Sequence, residues 1–537
     1  MSDVISSVSH FELSTAQTVG LVVAVYVAYL AWSYRDKRAI GTRPRPDLFT
    51  VPGQQWLFLG DLPTMVKNQD RQLDRFIEIR EKYKDTLQKD PSRAVSITLP
   101  WRRMIEASKP EYLEYIQRTN FNNFVKGDQF YKNLSGLLGD GIFCVDGHSW
   151  QLQRKTTAKI FTANNFKGVI TQSLENQMAK LIAIIGRHAD RGEEFDLQDL
   201  FFRFTLNSFA EMAFGKDIGA LNTESDEPVP FAKAFDYGQV VMNRRFMNPF
   251  WPVTEFLDGT HWKMAAATKV MDSFAYGVIE EREREGRGNF TGAQKKEAAE
   301  KDLLSLYMAL RDDNGAPLTR KMLRDAILNL IIAGRDTTAQ ALSWTFFHLL
   351  SNPKHIEAIR KETDNLGEVG YDTFKQMTTT TAVFQEGLRL HPSVPKNAWE
   401  ALGPDVLPNG GPRIEKGDIV FWSDWTMNRD PKVWGPDAAE FKPERWLDSE
   451  GNLVKESQWK YHAFNGGYRL CLGQNLALYE GTSVLNAVTR EFDLSFAPGY
   501  LENVKMCDFE QTPLYKGALT LSLAEPLRVK ATRRKRT

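Results

Sequence analysis

The sequence predicts a mainly α-helical protein with small β-sheets, tethered by one N-terminal transmembrane helix. Three observations predict it. Thr15 to Ser33 (TAQTVGLVVAVYVAYLAWS) is uncharged and mostly apolar. Long segments at 172–188, 263–285, 320–351 and 375–391 repeat apolar residues at three- and four-residue spacing, the period of an amphipathic helix. Strand-like runs are few and short, at 93–99, 418–423 and 517–523.

The apolar N-terminal stretch is close to the roughly 20 residues a helix needs to cross the hydrocarbon core. No basic region precedes it and no small-residue cleavage site follows, so it reads as an uncleaved anchor rather than a signal peptide. Arg35, Lys37, Arg38, Arg43 and Arg45 come straight after it, which argues that the body stays on the cytoplasmic side of a single span. Arg43-Pro44-Arg45-Pro46 then blocks helix continuation. The expected organisation is an anchor over 1–38, a proline-rich hinge and lead-in over 39–66, and one domain over 67–537.

Lys+Arg and Asp+Glu are both 68, so there is no global basic excess to neutralise phosphates and no nucleic-acid partner is expected. Cys144, Cys471 and Cys507 are too scattered for a disulfide framework, and no Cys-x-x-Cys pair suggests structural zinc. The charged stretch Glu280 to Asp302 reads as an exposed connector; its sequon Asn289-Phe290-Thr291 would be inert in the cytoplasm.

Phe464-Asn465-Gly466-Gly467-Tyr468-Arg469-Leu470-Cys471-Leu472-Gly473 is the segment richest in chemistry. Its glycines permit a tight loop and close backbone approach to a flat macrocycle. A thiolate at Cys471 needs shielding and backbone N–H donors, and Arg469 supplies a cation suited to a carboxylate on such a group. Gln474 to Val484 reads as a helix whose N-terminal dipole favours the thiolate. Glu386 and Arg389 stand one helical turn apart among apolar neighbours. Ala333-Gly334-Arg335-Asp336-Thr337-Thr338 puts a glycine, an acid and an alcohol inside a long apolar helix, where Thr337 can bond back to a carbonyl and bend it. Trp150 and Arg154 share one helical face.

The spacing Phe-x-x-Gly-x-Arg-x-Cys-x-Gly resembles the haem-binding loop of the cytochromes P450, with Phe464, Gly467, Arg469, Cys471 and Gly473 at the defining positions. The resemblance implies the cytochrome P450 fold and haem b (iron protoporphyrin IX) ligated by Cys471. It implies Glu386, Arg389 and Arg445 as a structural triad, Trp150 and Arg154 as propionate contacts, and Asp336 and Thr337 as the dioxygen and proton-delivery pair. These motifs fall in family order, which overrides the three or four domains that length alone suggests. Two positions depart. Trp399 stands where many relatives carry a propionate-binding arginine, with Lys396 a substitute, and Asn428 stands where histidine is common.

The implied reaction is monooxygenation, with O2 as co-substrate. The chain has no flavin or nicotinamide fingerprint, so electrons are expected from NADPH through a separate NADPH–cytochrome P450 reductase on the endoplasmic reticulum membrane. Lys155 and Lys159 are candidates for its docking. The motifs look most like those of fungal alkane and fatty-acid hydroxylases, implying a lipophilic small-molecule substrate. Apolar substrate candidates are Phe121, Phe124, Phe130, Leu134, Ile331, Ile332, Val394 and Leu514. Arg244 and Arg245, beside Phe246, Phe250 and Trp251, are candidates to meet a carboxylate or lipid headgroups. A haem-thiolate isomerase or dehydratase, or a non-catalytic haem sensor or lipid-binding protein, are the alternatives. Neither needs a reductase or the acid–alcohol pair.

Overall fold

The computed structural model describes residues 14–89, 94–161, 166–221, 229–286, 302–311, 315–367, 370–507 and 512–535. The sequon and most of the charged connector lie outside the described residues. Helix α1 (Thr15–Ser33) begins in a capping box in which Ser14 and Gln17 exchange side-chain and backbone bonds. None of its residues is buried, and among the described residues it is the one helix long and apolar enough to span a membrane.

The lead-in that follows is bound to the body along much of its length. Ile40 N–H donates to Phe58 O at 2.9 Å and Trp101 N–H to Ile40 O at 2.7 Å. Arg45 donates to Asp418 at 3.1 Å and to Arg413 O at 2.7 Å, and Asp61 accepts from Thr98 N–H at 2.7 Å. Its partners lie in or beside a five-stranded sheet of order β1-β2-β8-β5-β3. The strands are β1 (Ser96–Leu99), β2 (Arg102–Glu106), β3 (Phe124–Val125), β5 (Lys396–Ala401) and β8 (Ile419–Ser423). Neighbours are antiparallel except β2 with β8. A small sheet joins β4 (Glu194–Asp196), β10 (Arg528–Arg533) and β9 (Phe492–Phe496), and β6 (Asp405–Val406) pairs with β7 (Arg413–Ile414).

Helices make up the rest: α2 (Gln72–Lys82), α3 (Gly127–Leu138), α4 (Gly147–Thr157), α5 (Thr171–Arg191), α6 (Leu197–Phe214), α7 (Pro230–Met247), α8 (Trp251–Leu257) and α9 (Thr260–Gly286). The central helix α10 is continuous but in three stretches: Arg320–Ile331, a π-helical turn Ile332–Asp336, and Thr337–Ser351. After it come α11 (Lys354–Leu366), α12 (Thr378–Leu390) and α13 (Gln474–Glu491). The C-terminal part of α10 packs with α5, α6, α12 and α13 in the largest apolar core, and its N-terminal part with α3, α7 and α9 in a second. A third core lies on the five-stranded sheet.

Two expectations change. The run 517–523 is not a strand; its pairing is the single bridge Tyr515–Leu523. Its apolar character comes from burial against α10, where Trp344 Nε1 donates to Leu521 O at 2.8 Å. The pattern expected over 375–391 starts later, at Thr378, because the Glu362 carboxylate accepts from the Thr379 and Thr380 N–H groups and fixes the helix start there.

One side of the molecule leaves large apolar side chains in the open: Trp56, Leu57, Trp101, Phe250, Val253, Phe256, Leu257 and Trp262. Tyr34, just past the anchor, meets Phe58 edge-on at 5.8 Å, and Trp101 meets Phe250 at 6.2 Å, so this surface continues from the end of α1 to α8.

Candidate active site

The loop before α13 is built around Cys471. Its N–H donates to Phe464 O at 2.8 Å, closing the loop on itself, and Gly467 (φ +55°) turns it. A Cβ on Gly467 would lie 2.5 Å from Gln117 O, so only glycine fits that approach. The Cys471 side chain is exposed within this loop. Burial pushes its thiol up, while the Gly473 N–H and the Arg154 guanidinium pull toward the thiolate.

Behind the loop, Glu386 and Arg389 are fully buried and form a bidentate pair at 2.8 and 2.9 Å. Arg445 Nε donates to Glu386 at 2.9 Å, as do Trp446 Nε1 at 2.9 Å and Lys442 N–H at 2.8 Å. Arg389 also donates to the carbonyls of Asn428, Ala438 and Glu440. These bonds bring Glu386, Arg389 and Arg445 together, and the Asn428 amide donates to Arg389 O at 2.7 Å.

The π turn of α10 supplies the acid and the alcohol. Thr337 Oγ1 donates to Ala333 O at 2.7 Å. Ala333, Gly334 and Thr337 are the half-exposed positions of an otherwise buried stretch. A Cβ on Gly334 would lie 2.0 Å from the Phe209 ring, which explains the glycine. Asp336 lies on another face, fully buried, accepting from Arg335 at 3.0 Å, with Asp236 and Gln239 of α7 nearby. Burial pushes it up to about 7 against the pull of Arg335, and its Oδ2 accepts no hydrogen bond among the described residues.

A family model described as Cytochrome P450 matches residues 51–516. The chain belongs to the cytochrome P450 family. It is 42% identical over 531 residues to the cytochrome P450 monooxygenase cyp1 of Mycosarcoma maydis, covering 96% of this chain and 80% of that one. It is 34% identical over 529 residues to cytochrome P450 86B1 of Arabidopsis thaliana (94% and 90% covered) and 31% identical over 493 residues to cytochrome P450 94B1 of the same plant (89% and 90%). Membership makes this a haem- and dioxygen-using enzyme of the monooxygenase class.

The residues of this P450 fit haem. Among the described residues no cluster of three His, Cys, Asp or Glu side chains could hold a bare metal ion, and Cys471 would be the side chain to hold a haem iron. Beside the loop lies a group of half-buried basic side chains that suits two propionates. Arg469 stacks 3.9 Å over Trp150, pairs with Asp146 at 2.7 Å, and leaves Nε without a partner. Burial and the opposing Arg154 lower it to about 10 despite Asp146. Lys126 is pushed down to about 7 by burial and by Arg469, and donates to Asn397 at 3.3 Å. Burial alone lowers Lys396 to about 8. Arg154 donates to Leu470 O at 2.7 Å, and Trp150 is buried one turn away. Trp399 is buried in the sheet, its ring 5.7 Å from the Arg469 guanidinium.

The expected substrate contacts divide. Val394 is 42% exposed and Leu514 half-buried, on segments tied to α10 through Ser393, whose Oγ donates to Thr337 O at 2.7 Å and whose carbonyl accepts from Leu521 N–H. Phe130 is half-buried against Phe246 at 5.4 Å. Phe121 joins the Trp150, Trp399 and Tyr468 rings instead. Phe124, Leu134, Ile331 and Ile332 are buried side chains packed in the apolar cores. Arg245 is corrected as a carboxylate receptor: it is buried and already bidentate to Glu255 at 2.7 Å, whereas Arg244 is exposed. Sequence reasoning missed Lys126, Asp146 and Glu480. Glu480 of α13 is buried beside Ser208 and Thr338, and burial pushes it up to about 8.

Proposed function

We propose that the protein is a haem-thiolate monooxygenase that hydroxylates a terminal or near-terminal C–H bond of a long-chain fatty acid or alkane. The observation that carries this reading is the acid–alcohol pair at the π turn of α10, Asp336 ending the turn and Thr337 bonding back to Ala333, in a chain that also carries the Cys471 loop. Bound haem supplies dioxygen activation and insertion of one oxygen atom, the thiolate favouring O–O cleavage. In this reading Cys471 would hold the haem iron through its thiolate, and Trp150, Arg154, Arg469 and Lys126 would hold the propionates. Glu386, Arg389 and Arg445 hold the backbone behind the loop. Thr337 spends its hydroxyl proton on Ala333 O, so its oxygen is left to accept a hydrogen bond from an incoming proton carrier. Asp336, held near neutral pKa, exchanges protons between the α7 side and that turn, and Glu480 holds a further proton behind Thr338.

Electrons come from NADPH through a separate reductase that the anchor brings onto the same membrane. The exposed Lys155 and Lys159 are its candidate contacts. Residues 1–38, 39–66 and 67–537 serve as anchor, lead-in and catalytic domain. The basic cluster after α1 favours an endoplasmic reticulum protein with its body toward the cytoplasm. Retention of Asp336 and Thr337 argues against an isomerase or dehydratase, which needs no proton delivery to dioxygen.

The test is the reduced carbon monoxide difference spectrum of wild type beside Cys471→Ala, followed by fatty-acid and alkane turnover with reductase. A strongly red-shifted Soret band lost in the variant, with NADPH-dependent hydroxylation, is expected. A histidine-type band in wild type, or no lipid turnover, would overturn the thiolate or the substrate reading respectively.

A further inference from the structure

A chain of buried polar side chains leads to the start of the Cys471 loop. Asp424 directly follows β8, Gln117 lies on a π-helical turn Tyr115–Thr119, and His462 stands two residues before Phe464. All three side chains are buried. His462 Nδ1 lies 2.9 Å from Asp424 Oδ1, and its Nε2 lies 3.1 Å from Gln117 Oε1. The same Gln117 oxygen accepts from Gly466 N–H at 3.0 Å. The His462 carbonyl accepts from Asn465 N–H at 2.8 Å. These two N–H groups directly follow Phe464, whose carbonyl accepts from Cys471 N–H at 2.8 Å. Gln117 touches the loop a second time, since its own carbonyl is what bars a Cβ at Gly467.

The protons on this chain follow from one donor that cannot change. Gly466 N–H can only donate, so the Gln117 amide must turn its oxygen toward it. The Gln117 Nε2 is left with no partner among the described residues. A lone pair on His462 Nε2 would face that same oxygen and be repelled, so Nε2 carries a proton. Nδ1 and the Asp424 carboxyl then face each other with room for one proton between them. Burial raises the Asp424 carboxyl, and His462 is the partner that pulls it down. The other groups facing the ring, Gln117 and Trp422 at 6.0 Å, carry no charge. Without the shared proton the ring would move its remaining proton to Nδ1, turn a lone pair on Gln117 and free Gly466 N–H.

We infer that His462 is a positioning residue for the Cys471 loop: the proton it shares with Asp424 keeps Nε2 a donor to Gln117, which holds Gly466 and thereby the Phe464 carbonyl on Cys471 N–H. This rests on the haem-thiolate reading above and names the device that keeps the ligand loop in register. Asp424→Asn retains the device, because an asparagine amide can donate to Nδ1 and leave the proton on Nε2. Asp424→Leu has the same outline and no donor, and His462→Phe has a ring without N–H groups.

The experiment uses the full-length, haem-loaded protein, and follows the reduced carbon monoxide complex as its Soret band converts from the thiolate-type to the histidine-type position. Each variant is held at the same interval below its own Tm, so that general loss of stability does not enter the comparison. Asp424→Asn is expected to convert at the wild-type rate. Asp424→Leu and His462→Phe are expected to convert about tenfold faster, the factor that corresponds to about 1.4 kcal/mol, close to one hydrogen bond. Asp424→Asn converting as fast as Asp424→Leu would assign the hold to the charge of Asp424 and overturn the inference. Wild-type rates in all three variants would overturn it as well. Where His462→Phe takes up no haem, the asparagine and leucine variants at 424 decide between these outcomes. A histidine-type band in wild type from the start removes the haem-thiolate reading itself.

Discussion

Glu386→Gln keeps the shape of a side chain on which five hydrogen bonds converge, and removes its charge. Oε1 accepts from Arg389 Nη2, Lys442 N–H and Arg445 Nε, and Oε2 from Arg389 Nε and Trp446 Nε1. Glutamine has one oxygen. Turned toward the three donors it keeps those bonds, but its amide N–H groups then face the Arg389 Nε and Trp446 Nε1 donors. Bonds to a charged acceptor contribute about 1.5–3 kcal/mol each, and the two lost here leave a buried guanidinium with carbonyl partners only. Removing one partner of a buried pair costs about 3–5 kcal/mol, the same range. Thermal unfolding and haem content at matched protein concentration are the assay. The expected outcome is a Tm lower by several degrees with incomplete haem retention. A Tm within about 1 °C of wild type and full haem content would refute the reasoning, since at about 2.1 cal/mol/K per residue such a shift in a chain of this length corresponds to about 1 kcal/mol.

The raised pKa of Asp336 has a signed consequence. The folded protein holds that proton up to about 7, whereas the unfolded chain releases it near 3.8, so this group's contribution to stability falls as pH rises between those values. Asp336→Asn should flatten the corresponding slope in Tm between pH 5 and 7 and slow turnover by about 10²–10⁴-fold; an unchanged slope would remove Asp336 from the titrating groups. Gly334→Ala pushes a methyl group into the Phe209 ring and should cost about 1–3 kcal/mol. Phe209→Ala in the same chain should recover part of it, and strictly additive losses in the double-mutant cycle would show that the two do not meet.

What could be read from the sequence was local. The Cys471 loop carries its glycines, cation and thiol within ten residues, and the period of 320–351 announces α10 without tertiary information. The strand misread at 517–523 shows the opposite case: an apolar run buried against Trp344 looks the same, in sequence, as one paired in a sheet. The propionate side was only partly legible for a related reason. Lys126 reaches Asn397 across 271 positions, and Asp146 reaches Arg469 across 323, so no spacing rule connects them. Glu480 sits in a helical pattern where an acid looks solvent-facing, and only the packing of α13 on α5 and α10, with Ser208 of α6 beside it, buries it. Arg244 and Arg245 are adjacent in sequence, yet helical rotation exposes one and buries the other.

The open apolar surface from Trp56 through Trp101 to Leu257 bears on how the enzyme is handled in the laboratory. Leu257 is 77% exposed and Trp101 64%. Patches of this kind drive association when left in water. Cutting the chain after the anchor therefore removes a tether but not the affinity for detergent, and the shortened protein should elute as micelle-bound or self-associated material. Introducing charge at Leu257 and Trp101, both exposed, is the more direct route to a monodisperse preparation.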